Sequence, residues 1–187
     1  MTRLVEGARA PHFDTLDSFG EPISLAALRG RKVMLSFYRY AACPLCNMRV
    51  NAMTRRHAEW AAQGLEVLAV FQSSAEEIGR YVGRQDAPFP IIPDAPMTHY
   101  RRFGVEKSWG GFFMASLKLD VVIKAIMRGY FPTSFSGPLN RLPADFLIDE
   151  NGRLVRCYYG TDAADHLPFE EIDAFAASQG ASRLIAV

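Results

Sequence analysis

Cysteine is scarce in this chain, with three residues in 187. That is too few for a disulfide-stapled scaffold. In a reducing compartment, a close pair of thiols points to catalysis or metal binding rather than to structure. An excess of charge of either sign is also missing. Lys and Arg number 21 against 20 Asp and Glu, for a formal net charge of +1. Nothing in that balance argues for nucleic acid or an anionic membrane as a partner. Met1 to Ala10 carries Arg3, Glu6 and Arg9 and no apolar h-region. No secretory signal is visible there, and the cytoplasm is the expected location. The apolar stretch from Ala115 to Met127 is interrupted by Lys118, Asp120 and Lys124, and is too short and too charged to span a bilayer. Internal repeats and low-complexity segments are absent as well.

What is there suits one domain, residues 1–187, with a substantial core: 49% of the residues are hydrophobic and 22% charged. Short alternations from Phe13 to Leu25 around Asp17-Ser18-Phe19-Gly20 predict a hairpin. Val33 to Tyr38 and Leu65 to Phe71 read as buried strands. Between them a helix runs from Cys43 to about Ala62 and stops near Gly64. Ser73 or Ser74 caps a helix reaching about Arg84. Phe89 to Ile92 is a short strand, and Met97 to Phe103 a short helix. Asp145 to Asp149 and Leu154 to Tyr159 flank the tight turn Glu150-Asn151-Gly152 as antiparallel strands. Pro168 to Ser178 closes the chain as an amphipathic helix. This order predicts an α/β fold: a central mixed sheet flanked by helices, an N-terminal β-hairpin, and an inserted helical segment near 109–141 that packs on the core or on a second subunit.

The chemistry concentrates in Cys43-Pro44-Leu45-Cys46, at the junction of a buried strand and a long helix. A helix start offers unbonded N–H groups and partial positive charge, which favour thiolate over thiol. Pro44 suits the first helical position, where its missing N–H costs nothing. Cys46, Val50, Met53, His57 and Trp60 recur on one helical face, which makes Cys46 the inner thiol and leaves Cys43 at an exposed tip. The spacing puts both sulfurs on one turn, within reach of a disulfide. Two ordinary buried cysteines are the plain alternative. A zinc site is another, but the pair supplies only two ligands and the chain has no second CxxC and no His-x-His pair. Cys157 lies in a strand and reads as a small packing residue before it reads as a distant resolving thiol. Asp165-His166-Leu167-Pro168 reads as a helix-entry turn rather than a catalytic histidine.

Three strings carry a resemblance: Gly7-Ala8-Arg9-Ala10-Pro11-His12-Phe13, Gly20-Glu21-Pro22-Ile23-Ser24-Leu25, and Leu28-Arg29-Gly30-Arg31-Lys32-Val33. With Phe37-Tyr38 and the later Phe146-Leu147-Ile148-Asp149-Glu150-Asn151-Gly152-Arg153-Leu154, they resemble the peroxiredoxins of the alkyl hydroperoxide reductase and thiol-specific antioxidant (AhpC/TSA) family. The resemblance spans most of the chain apart from the segment from Trp109 to Arg141, and implies a thioredoxin-like fold. This chain departs from the family pattern at the site. The proline that follows Phe-Tyr in the family is Arg39 here, and its hydroxyl residue is Cys43, with Cys46 in the peroxidatic position. The resulting CxxC resembles thioredoxin instead, although the tryptophan expected before the first cysteine is Ala42. On that side the resemblance implies that Pro143, three residues before Phe146, is a cis-proline facing the dithiol. The family's thiolate-holding arginine has Arg141 as its nearest counterpart, with Arg39 and Arg49 as local alternatives.

The chain therefore reads as a thiol-dependent oxidoreductase that reduces hydroperoxides or disulfides through Cys43 and Cys46. The resemblance implies an external dithiol reductant of thioredoxin type and no cofactor. Arg39, Arg141, Pro143 and Tyr38 are the candidates for holding the thiolate or positioning substrate. Tyr38, Tyr40 and the aromatic run at Trp109 read first as packing and second as a substrate pocket. If peroxide is the substrate, the alignment favours Cys46 as first attacker; if a protein disulfide is, exposure favours Cys43. The rival reading is a non-enzymatic redox sensor or interaction module that uses the dithiol as a switch. The inserted helix makes a homodimer plausible.

Overall fold

The computed structural model describes residues 2–105 and 141–178. Asp14–Leu16 (β1) and Pro22–Ser24 (β2) form the expected hairpin as a separate two-stranded sheet. The central sheet has five strands: Lys32–Phe37 (β3), Leu65–Phe71 (β4), Ile91–Pro93 (β5), Ala144–Ile148 (β6) and Leu154–Tyr159 (β7). Its order is β5-β4-β3-β6-β7. The first three strands of that order run parallel, and β6 and β7 run antiparallel, so the sheet is mixed as expected.

Strand β3 sits at the centre and is buried along its whole length. Successive side chains of a strand point to opposite faces, and β3 uses both. Val33, Leu35 and Phe37 join one core cluster, together with Leu68, Val70, Tyr100, Phe103 and Phe146. Met34 and Tyr38 join the other, together with Val67, Phe71, Val50, Met53, Trp60 and both dithiol cysteines. The second face is covered by Pro44–Ala62 (α1) and Phe169–Ala177 (α4). Their joint is fixed by the Trp60 indole N–H, which donates to Asp173 at 2.7 Å. Lys32, at the start of β3, reaches the carbonyl of Ala176 at 2.7 Å and so satisfies the C-terminal end of α4. The first face is covered by Thr98–Arg102 (α3) and the N-terminal segment.

Three local features differ from expectation. The helix starting at Ala75 (α2) ends at Arg80, and a 3-10 turn at Val82–Gln85 follows. Tyr81 leaves the helical region with ψ −94°, and Gly83 passes so close to Ile78 that a Cβ there would lie 2.9 Å from its carbonyl oxygen. The cap itself is as expected: Ser74 accepts from Glu77 N–H while Glu77 returns a bond to Ser74 N–H, a capping box. Strand β5 begins at Ile91 rather than Phe89, because Pro90 has no N–H to give a ladder. Third, no cis peptide bond occurs among the described residues, so Leu142–Pro143 is trans. Trans is the ordinary state of an X–Pro bond, and Pro143 leads straight into β6, with its carbonyl accepting Gly160 N–H at 3.0 Å. The segment expected as a helical insert, 109–141, lies outside the described residues apart from Arg141.

Candidate active site

The backbone leaves β3 at Phe37, passes Tyr38 and Arg39, and turns into α1 with Cys43 as the N-cap and Pro44 at the first helical position. No side chain caps this helix start. The turn is held from within: the Asn47 carboxamide donates to the carbonyls of Ala41 at 2.7 Å and Cys43 at 2.9 Å. Its oxygen accepts from Gln85 at 2.7 Å, and Ser73 Oγ accepts the Ala41 N–H at 3.0 Å. Asn47 and Gln85 carry no motif signature, and their role is visible only once the chain is folded.

Both sulfurs are buried, with Cys43 and Cys46 each 1% exposed, and both are free thiols. This corrects the helical-phase reading that made Cys43 an exposed tip. The N-cap position is outside the helix, but Arg39, Tyr40, Ala41 and Ala42 are themselves buried around it. The two thiols differ in acidity rather than in exposure. Burial pushes the Cys43 thiol up, but a hydrogen bond from the Cys46 thiol, the Arg39 guanidinium, and the backbone N–H groups of Cys46 and Leu45 outweigh it, lowering Cys43 to about 6. Cys46 goes the other way: burial and the neighbouring Cys43 sulfur push its thiol well above the usual range. One thiolate shared between two sulfurs explains both directions, since the second proton is held harder once the first is lost.

Arg39 is brought to the thiols. Its Nη1 lies 3.8 Å from Cys43 Sγ, and its guanidinium sits 5.3 Å from the centroid of the Tyr40 ring. Burial raises the Tyr40 phenol, and both sulfurs add to that. Tyr38 forms the floor. Its ring stacks on Phe71 at 4.8 Å, and its hydroxyl donates to Met53 Sδ at 2.7 Å. Arg141 is engaged elsewhere: it donates to the Val105 carbonyl at 2.7 Å and to Met97 Sδ at 2.8 Å, and faces the Tyr100 ring. Pro143 is buried at the start of β6. Cys157 is half-buried on β7, opposite Phe146, and packs on the face away from the dithiol. Its thiol is pushed up to about 11 by burial and then by Glu6.

His166 and Leu167, read from sequence as part of a helix-entry turn, also belong to a buried polar cluster that sequence reasoning did not assemble. The Asp145 carboxylate accepts from Ser36 Oγ, from His166 Nδ1 at 3.0 Å and from Leu167 N–H at 2.7 Å. A polar residue in each of two otherwise apolar strands was the available signal. Among the described residues no three His, Cys, Asp or Glu side chains are gathered so as to hold a metal ion. Nor is any described helix long and apolar enough to cross a membrane.

Comparison with known proteins gives a consistent picture. Peroxiredoxin Bcp of Escherichia coli is 28% identical over 166 residues, which covers 89% of this chain and 92% of that protein. The thiol-disulfide oxidoreductase ResA of Halalkalibacterium halodurans is 32% identical over 100 residues, 53% of this chain and 56% of that protein. Among solved structures, peroxidoxin BcpB from Mycobacterium tuberculosis superposes with a TM-score of 0.66 at 17% identity, covering 93% of this chain and 97% of that one, and so shows the thioredoxin-like fold. The model of the AhpC/TSA family matches residues 7–157, which takes in the strand, the dithiol turn, helix α1 and the late hairpin, and the chain belongs to that family.

Proposed function

We propose that this oxidoreductase reduces hydroperoxides through a Cys43/Cys46 dithiol cycle, with Cys43 as the attacking thiolate and Cys46 as the resolving thiol. One observation carries the reading: Cys43 is lowered to about 6 beside Arg39, while Cys46 is held protonated. The Cys43 sulfur attacks the O–O bond of ROOH; an S–O bond forms, and the alkoxide leaves and takes a proton from solvent. The Cys46 sulfur then attacks the Cys43 sulfenic acid. Its proton leaves with the hydroxyl as water, and the S–S bond forms. An external dithiol supplies two electrons and two protons to restore both thiols. Arg39 holds the thiolate, and the Tyr38 ring supports the turn from below. Arg141 and Pro143 shape the strand entry behind it.

A second reading has its own support. The CxxC spacing and the ResA likeness over half the chain favour a disulfide as the electrophile, with the same Cys43 attack and the same intramolecular resolution. Peroxide consumption and insulin reduction, each measured with wild type, Cys43→Ser and Cys46→Ser, separate the two. Peroxide turnover that is lost in Cys43→Ser and falls to a single turnover in Cys46→Ser is the expected result. Peroxide turnover surviving in Cys43→Ser overturns the assignment. Absence of both activities in wild type, with a redox-dependent change of size on gel filtration, supports a sensor or a redox-linked homodimer instead.

A further inference from the structure

The Gln85 carboxamide carries a buried oxygen, Oε1, that accepts no hydrogen bond among the described residues. A buried unpaired acceptor is costly, and its retention has to be explained. The explanation is a chain of bonds that can run in one direction only. The Asn47 carboxamide gives its N–H groups to carbonyls, that of Ala41 at 2.7 Å and that of Cys43 at 2.9 Å. Its oxygen is thereby turned towards Gln85, which meets it with Nε2 at 2.7 Å. The Gln85 oxygen is left over. Turning the Gln85 amide round would set two amide oxygens against each other. Turning Asn47 as well would aim its oxygen at the carbonyls of Ala41 and Cys43. Asn47 is 6% exposed, and its backbone N–H also donates to the Cys43 carbonyl, at 3.0 Å, so Asn47 grips that carbonyl twice.

That grip fixes what the sulfur meets. Cys43 is the N-cap of α1, no side chain hydrogen-bonds to that helix start, and Pro44 brings no N–H. The first N–H groups of the helix are those of Leu45 and Cys46, and both help to lower the Cys43 thiol. We propose that Asn47 and Gln85 are positioning residues for the dithiol: the relay from Gln85 through the Asn47 carboxamide to the carbonyls of Ala41 and Cys43 holds the Cys43 sulfur against the first N–H groups of α1. Asn47 stands four residues after Cys43, one helical turn on, which places its side chain under the cap. Gln85 comes from the 3-10 turn Val82–Gln85, so the relay ties the dithiol to a segment outside the strand–dithiol–helix unit. The charged or titratable groups acting on Cys43 among the described residues are Cys46 of α1, and Arg39 and Tyr40 from the strand exit. Asn47 and Gln85 are both neutral. Replacing either by a neutral residue moves no charge, and a displaced Cys43 inflection then reports geometry.

The proposal rests on Cys43 as the residue that carries the thiolate, and its test tells the two apart. Thiolate absorbance and alkylation by iodoacetamide are followed against pH in a Cys157→Ser background. A parent without an inflection near 6 removes that reading, and the proposal with it. An inflection that is present in the parent and unmoved in Asn47→Ala or in Gln85→Met overturns the relay alone. Asn47→Ala takes away the carboxamide donors, and is expected to raise the inflection by about one unit, read as roughly tenfold slower alkylation at a fixed pH below both inflections. Gln85→Met takes away the outer donor, and is expected to displace the inflection in the same direction by less. Trp60→Phe breaks the bond to Asp173 near the other end of α1 and serves as the control. Its thermal midpoint is expected to fall while the inflection stays. A displacement in Trp60→Phe equal to that in Asn47→Ala marks general loosening of the helix and overturns the proposal. Should Asn47→Ala fail to fold, Gln85→Met decides by itself: a raised inflection supports the relay and an unmoved one overturns it.

Discussion

At the residue scale, Arg39 shows how much one side chain can set. Its guanidinium 3.8 Å from Cys43 Sγ is an opposite charge inside the range that moves a thiol by about 1–3 units. Arg39→Met is therefore expected to raise the Cys43 inflection by about one unit or more, which corresponds to ~1.4 kcal/mol of lost thiolate stabilisation. Thiolate absorbance against pH measures it directly: wild type is expected to show an inflection near 6 that Cys43→Ser abolishes. Much of this residue-level picture was legible. The CxxC, the helix start after it and Arg39 as a neighbour all follow from spacing and sequence position. Which sulfur is charged was not legible, because it depends on Arg39 folding back over the N-cap and on two thiols sharing one proton. The cis assignment for Leu142–Pro143 failed for a related reason: an isomer depends on the strand it enters and on Gly160, far along the chain.

At the scale of elements, the strand–dithiol–helix unit was the easiest to read, because Leu65–Phe71 and Pro44–Ala62 have uninterrupted patterns and clear stops. The short elements are where pattern gave out. Helix α3 has five residues and begins from Met97 in a left-handed conformation, so it cannot stand by itself. It stands on Asp94, whose carboxylate accepts the N–H groups of Thr98 at 2.8 Å, His99 at 2.7 Å and Tyr100 at 3.2 Å. Asp94→Ala leaves three buried or half-buried donors unpaired and is expected to cost about 2–3 kcal/mol, read as a lower midpoint in urea with an unchanged slope. Tyr100 would lose its seat, and its hydroxyl bonds the carbonyls of Tyr38 at 2.7 Å and Val70 at 3.0 Å, so loosening is expected to reach the strand exit that carries the site.

At the scale of the whole molecule, Asp145 links stability to acidity. Its native value is lowered while that of the unfolded chain is ordinary, about 3.9. The stabilisation is then fully present above the ordinary value and is lost as pH falls through the lowered native one. Thermal melts between pH 7 and pH 3 are expected to show a fall in midpoint towards the acid end that is smaller in Asp145→Asn, which starts from a lower midpoint. A melt series with equal slopes for the two proteins would exclude Asp145 as the linked group. The sheet that buries Asp145 also partitions the thiols. Cys43 and Cys46 lie in the core on one face and Cys157 against the core on the other. Closing the pair therefore leaves Cys157 untouched, and an oxidised chain keeps one titratable sulfhydryl of its three. Counting sulfhydryls in the denatured chain before and after oxidation therefore reads the state of the pair directly, three against one, with Cys157 as the internal standard.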